Sequence, residues 1–168
     1  MTLAEINAFD RAAFDKCLGG IVEHSPWIAD AAWEKRPFAS VDALQAAMVA
    51  ALLGAPVETQ LMVIRLHPEL AGMAAIRGEV TPDSKREQGG AGLTQCLPKE
   101  FSRLSALNRA YSAKFGFPFI IAVQGLDRAA IIERFEQRLE RDRATEFAEA
   151  LAQIARIARL RLGMLLET

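Results

Sequence analysis

Phe117-Pro118-Phe119-Ile120-Ile121-Ala122-Val123 is the stretch that decides the fold class. Its aromatic and β-branched residues favour a pleated strand, so any sheet would begin here. A strand needs a neighbour to take its N–H and C=O groups, and no partner segment stands out elsewhere in the chain. A lone buried strand would leave those groups unpaired. The run therefore reads as an extended, buried connection between helices, and the chain as all-α.

Working outward, Pro98 opens a long helix through Phe101, Leu104, Leu107, Asn108 and Tyr111 to Gly116. Downstream, apolar periodicity predicts helices over roughly 127 to 140 and 142 to 166. In the last of these Leu151, Ile154, Ala158, Arg161 and Leu165 fall near helical spacing, which sets Arg161 beside an apolar stripe. Arg138-Leu139-Glu140-Arg141-Asp142-Arg143 alternates in sign and reads as a solvated helix surface.

Upstream, Thr2 and Glu5 have capping-box spacing, and Asp10 precedes a second short helix that closes on Gly19-Gly20. Pro26 opens a third and Pro37 closes it. Ser40 is an N-cap for Val41 to Leu53, where Leu44, Ala47, Met48 and Ala51 share a face; Gly54 and Pro56 end that helix. Val57 to Leu66, with Leu61, Met62 and Ile64, suits another, which stops near His67 because Pro68 disfavours helical geometry in the residue before it. Ala71 to Asp83 reads as a surface loop, with Asp83 or Ser84 capping a helix that carries Glu87 and Gln88 and is weakened by Gly89, Gly90 and Gly92. The expectation is a single-domain bundle of about eight helices over residues 1–168.

The 20 basic and 21 acidic side chains give a net charge of -1, which supplies no field for nucleic acid or an anionic membrane. Cys17 and Cys96 lack CxxC spacing; they suggest a reducing compartment and read as small core residues. The N-terminus carries no signal-peptide pattern, and no segment approaches the ~20 apolar residues of a membrane span, which points to the cytoplasm.

Only His24 and His67 titrate near neutral pH as unperturbed side chains, so imidazole chemistry must use one of them. Glu23-His24-Ser25-Pro26-Trp27 is explained equally well as a capping and packing turn. No spacing of His, Cys or carboxylate matches a metal motif, and Gly89-Gly90-Ala91-Gly92 lacks the context of a phosphate loop. Ser84 has no nucleophile elbow around it.

Several segments taken together carry a resemblance. They are Gly19-Gly20-Ile21-Val22-Glu23-His24-Ser25-Pro26-Trp27, Leu66-His67-Pro68-Glu69-Leu70-Ala71-Gly72, and Ser84-Lys85-Arg86-Glu87-Gln88 followed by Ala91-Gly92-Leu93. Further along stand Asn108-Arg109-Ala110-Tyr111, Lys114-Phe115-Gly116 running into Phe117 to Val123, and Arg159-Leu160-Arg161-Leu162. In this order they resemble the 2-oxo-4-hydroxy-4-carboxy-5-ureidoimidazoline (OHCU) decarboxylase family.

The resemblance implies an all-α, cofactor-free enzyme, usually a homodimer, that converts OHCU to (S)-allantoin and CO2 in urate breakdown. It places the catalytic residues on His67 and Glu87. Substrate contacts fall on Pro68, on Ser84, Lys85, Arg86, Glu87 and Gln88, on Phe119, Ile120, Ile121, Ala122 and Val123, and on Arg161, with Arg159 the competing match. Lys85 and Arg86 are expected to contribute backbone amides only, and amides at the start of the Ser84 helix to serve developing negative charge. His67 either takes the hydroxyl proton or delivers hydrogen to the new stereocentre, and Glu87 holds the ureido N–H groups or sets the imidazole's charge. Two other readings remain at this point: a sister decarboxylase for a related ureido or imidazolinone acid, and a non-enzymatic helical binding module.

Overall fold

The computed structural model describes residues 1–71 and 80–166. Among them are α1 (Leu3–Ala8), α2 (Arg11–Leu18), α3 (Trp27–Trp33), α4 (Val41–Gly54), α5 (Val57–Leu66), α6 (Pro82–Gly90), α7 (Pro98–Phe115), α8 (Arg128–Leu139) and α9 (Arg143–Leu165), with one 3₁₀ turn at Leu93–Gln95. The described residues contain no strand. Most boundaries follow the sequence signals. Thr2 and Glu5 form the capping box of α1, and Asp10, Ser40 and Asp127 cap α2, α4 and α8. The described chain groups into two compact units, Met1–Leu66 with Ile154 onward, and His67–Gln153. The change from one to the other at the C-terminal end falls inside α9.

In the first unit the inward faces of the helices carry Ile6, Phe14, Leu18, Ile28, Leu44, Met48, Leu52, Ile64 and Leu162, all nearly inaccessible. Asn7 fastens the start of the chain to Phe38 through a reciprocal pair, its Nδ2 donating to the Phe38 carbonyl at 2.9 Å and its Oδ1 accepting from the Phe38 amide at 2.8 Å. No single helix among the described residues is long and apolar enough to cross a membrane. The chain bends by 116° between α4 and α5, where Ala55-Pro56 interrupts it.

The second unit is built on aromatics. Phe119 stacks on Phe135 at 3.8 Å between centroids, and Tyr111 meets both edge-on at 5.3 and 5.6 Å. Such contacts add to the area these rings bury, roughly 0.5–1.5 kcal/mol per pair. They fix the Phe117–Val123 run in place, which is neither helix nor strand and is buried at every position but Pro118. Gly116 makes the turn into it: its φ of 78° is left-handed, and its N–H caps α7 on the Ser112 carbonyl at 2.9 Å.

Four expectations need correction. The helix carrying Glu87 begins earlier than predicted, at Pro82, because Thr81 and not Asp83 or Ser84 is its N-cap and Pro suits its first position. Cys17 and Cys96 are half-buried and not core residues. Met62, read as part of the apolar face of α5, is 61% exposed. Arg138 is not on a solvated surface: it is 4% exposed, and Glu146, eight residues on, is fully buried.

Candidate functional site

His67 follows the last residue of α5 directly and is 6% exposed. Pro68 stops the helix there, so the imidazole sits on a bend at the start of the second unit. The turn that follows is stitched down on two sides. The Leu70 carbonyl accepts from Asn108 Nδ2 on α7 at 2.9 Å, and the Ala71 N–H donates to Gln88 Oε1 on α6 at 3.0 Å. Ala71 has φ 47°, a left-handed conformation that a residue with a Cβ adopts only at a cost of order 1–2 kcal/mol. The Gln88 and Asn108 bonds hold that strained turn. They thereby tie the His67 segment to the helix that carries Glu87.

On α6, Ser84 and Gln88 are one helical turn apart and buried, Glu87 is half-buried, and Lys85 and Arg86 face solvent. Arg86 pairs with Asp83 on that outer surface. The Ser84 N–H is taken by Thr81 Oγ1 at 3.3 Å and the Lys85 N–H by the Thr81 carbonyl at 2.9 Å. These two amides, expected to serve a ligand's negative charge, are thus occupied by the cap itself.

Phe119, Ile120, Ile121, Ala122 and Val123 are each at most 5% exposed. Two side chains that sequence reasoning did not select hold this run. Arg138 Nη1 donates to the Ile120 carbonyl at 2.7 Å, and Gln153 Oε1 accepts from the Ala122 N–H at 2.9 Å. Arg138 spends its remaining donors on Glu146, Nε at 3.0 Å and Nη2 at 2.8 Å from Oε2, and lies over the Phe119 ring at 4.4 Å. Tyr111 OH also donates to Glu146 Oε2. Burial, and then that bond to a carboxylate, push the Tyr111 phenol well above its ordinary value, so it stays protonated. The sequence did carry a signal for Arg138: Ile131, Phe135 and Arg138 continue one buried helical stripe at steps of four and three.

Arg161 lies in the first unit and is 3% exposed. Its Nη2 meets Glu23 Oε1 at 2.8 Å and its Nη1 donates to the Ile21 carbonyl at 3.3 Å. Arg159, the competing match, is 40% exposed and pairs with Asp42. His24 is exposed, with φ 54°. Among the described residues no three His, Cys, Asp or Glu side chains gather as a metal site.

Comparisons with known proteins agree with one another. A family model described as OHCU decarboxylase matches residues 7–163. The chain is 40% identical to a 2-oxo-4-hydroxy-4-carboxy-5-ureidoimidazoline decarboxylase of Haloferax volcanii, covering 97% of this chain and 95% of that one. It is 38% identical to the protein of the same name from Halalkalicoccus jeotgali, over 96% of this chain and 90% of the other. Among solved structures it is similar to (S)-allantoin synthase, with TM-score 0.82 and 26% identity, covering 100% of this chain and 55% of that one.

Proposed function

The chain belongs to the OHCU decarboxylase family, and from that premise we propose that it decarboxylates 2-oxo-4-hydroxy-4-carboxy-5-ureidoimidazoline to (S)-allantoin and CO2 in urate degradation. The observation that carries this reading to named residues is the 3.0 Å bond from the Ala71 N–H to Gln88 Oε1, which joins the segment of the buried His67 to the helix of Glu87.

The substrate supplies its own electron sink. Its carboxylate and hydroxyl share a ring carbon whose neighbour is part of a C=N bond. When the carbon–carboxylate bond breaks and CO2 leaves, the electron pair forms a carbon–carbon double bond and the C=N pair moves onto nitrogen, which takes a proton. The resulting enol loses its hydroxyl proton as the carbonyl forms, and the neighbouring carbon gains a proton and becomes the stereocentre. No separate sink is required for this sequence. The protein must orient the ring, exclude water, and handle protons on one face.

His67 carries the proton step, and general acid–base catalysis of this kind contributes typically ~10²–10⁴-fold. Glu87 binds the ureido N–H groups or sets the imidazole's state. Ser84, Gln88, Pro68 and the Phe119–Val123 run enclose the ring, and the apolar run favours loss of the carboxylate's charge by keeping it from water.

A homodimer is part of the same reading. Met62 and Leu66, one turn apart on α5, are 61% and 41% exposed. They offer an apolar surface for a second copy. Sedimentation at micromolar concentration tests this: a species of twice 18.4 kDa is expected, and a monomer that persists there overturns it.

The decisive assay generates OHCU in place with urate oxidase and the ring hydrolase, then follows chiral allantoin by circular dichroism. Wild type is expected to give a fast optically active signal and His67→Asn the slow racemic background. Equal, racemic product from both would replace this reading with another substrate or a binding role.

A further inference from the structure

We propose that Arg138 and Gln153 are positioning residues for the decarboxylation, which clamp one edge of the Phe119–Val123 segment so that its opposite edge is presented to the substrate. This rests on the reading that the segment contacts the substrate. The two clamped groups, the Ile120 carbonyl and the Ala122 N–H, stand two residues apart. From Pro118 to Val123 the chain has neither helix nor turn. Two groups two residues apart, each held by a side chain, are what an extended chain presents along one edge, since its successive peptide edges alternate. Among the described residues the N–H and C=O of Ile121 and the N–H of Val123 make no hydrogen bond to protein, although both residues are 5% exposed. Buried backbone groups are nearly always paired. Here the Ile120 carbonyl and the Ala122 N–H are taken by Arg138 and Gln153, while the Ile121 N–H and C=O and the Val123 N–H stay open, groups that a ring with amide-like N–H and C=O can pair.

Each clamp is held by a carboxylate behind it. Arg138 is fixed by the buried Glu146, which also takes the Tyr111 hydroxyl. Gln153 Nε2 donates to Glu149 Oε1 at 2.7 Å. A carboxylate can only accept, so Nε2 must face Glu149, and Oε1 is left to face the Ala122 N–H. Arg141 bridges the two acids, at 3.2 Å from Glu146 and 3.5 Å from Glu149. Glu146, Glu149 and Gln153 lie at steps of three and four on α9, so one helix face carries the whole support. The arrangement also accounts for a buried charge pair in a small helical domain. An ion pair is a costly way to fill a core, but a guanidinium can grip a carboxylate and a carbonyl at once in fixed geometry.

The test uses the full-length enzyme in the coupled assay, with kcat, KM and the enantiomeric excess of allantoin as readouts beside a urea melt. Gln153→Met keeps size and removes the acceptor at a half-buried position; Arg138→Lys keeps charge for Glu146 but cannot hold Glu146 and Ile120 together. Both are expected to lower kcat/KM at least tenfold and to reduce enantiomeric excess, with Gln153→Met still unfolding cooperatively, at a lower urea midpoint because the buried Ala122 N–H loses its acceptor. Gln137→Met, whose amide reaches only Glu133, is the control and is expected to leave all readouts unchanged. If Arg138→Lys fails to fold, Gln153→Met decides alone. Backbone amide shifts of Ile121 and Val123 on titrating (S)-allantoin into wild type test the underlying reading separately. Unmoved amides overturn the substrate contact itself. Shifted amides with unchanged kcat, KM and enantiomeric excess in Gln153→Met overturn the positioning role.

Discussion

Arg161 Nη2 and Glu23 Oε1 meet at 2.8 Å across 138 residues of sequence, with both side chains no more than 2% exposed. Removing one member of such a pair leaves the other charged and buried, which costs about 3–5 kcal/mol, whereas replacing both by apolar residues of similar size is often close to neutral. Glu23→Ala is therefore expected to lower stability by about 3–5 kcal/mol in urea unfolding, and Glu23→Met with Arg161→Met to recover most of it. The double variant should fold, and the family resemblance, which assigns Arg161 to the substrate, predicts that it lacks activity. Arg159→Ala, at an exposed pair, is expected within about 1 kcal/mol of wild type. A fully active double variant would overturn that assignment.

Gln88→Ala takes away the acceptor for the Ala71 N–H and leaves that group without its bond beside a left-handed turn. The expected stability loss is about 1–3 kcal/mol. Activity should fall further than stability does, because the turn positions His67 four residues earlier and Gln88 is itself assigned to the wall around the ring. Gln88→Glu keeps an acceptor and is expected to retain more activity than Gln88→Ala. A Gln88→Ala enzyme with wild-type kcat/KM would overturn both the alignment of the imidazole by the turn and the contact of Gln88 with the ring.

Helix limits were legible because caps and prolines are local signals: Ser40, Pro68, Pro98 and Gly116 act on their own backbone neighbours, and each lies where a helix begins or ends. The strand-like Phe117–Val123 run was legible by what it lacked, a partner, and it lies without helix or strand structure. Gln153 was not legible, and the signal for Arg138, its place in the Ile131 and Phe135 stripe, was outweighed by the charges around it. Alternating charge is the usual mark of a wet surface, and only the tertiary approach of the 119–123 run gives a buried guanidinium and a glutamine something to hold. The partner of Arg161 was equally hidden, since nothing local links Glu23 to a helix 138 residues away. The cap of α6 was misassigned because Thr81, Asp83 and Ser84 are all good caps, and only Pro82 at the first helical position separates them.

That cap gives a sharp comparison. Thr81→Ala removes the acceptor for the Ser84 N–H and is expected to cost about 1 kcal/mol. Asp83→Ala loses only an exposed pair with Arg86 and should cost less than about 1 kcal/mol. Chemical denaturation of the two variants side by side distinguishes them, and the reverse order would mean that Asp83 and not Thr81 caps α6.

Asp142 gives a pH dependence whose sign follows from its bonds. Its carboxylate accepts from the Thr145 hydroxyl at 2.6 Å and from the Thr145 N–H at 3.0 Å at the start of α9. These bonds, the hydroxyl first, hold its pKa below the ordinary 3.8. The folded state therefore binds this proton less readily than the unfolded chain does. Asp142 adds stability that is fully present above 3.8 and is lost as pH falls through the lower folded value. Asp142→Asn should melt below wild type at pH 7 and converge with it in acid, because a protonated Asp142 can no longer accept both bonds as a charged group. A constant difference in Tm between the two proteins from neutral pH down to acid would mean that the residue stabilises α9 through packing and not through its charge.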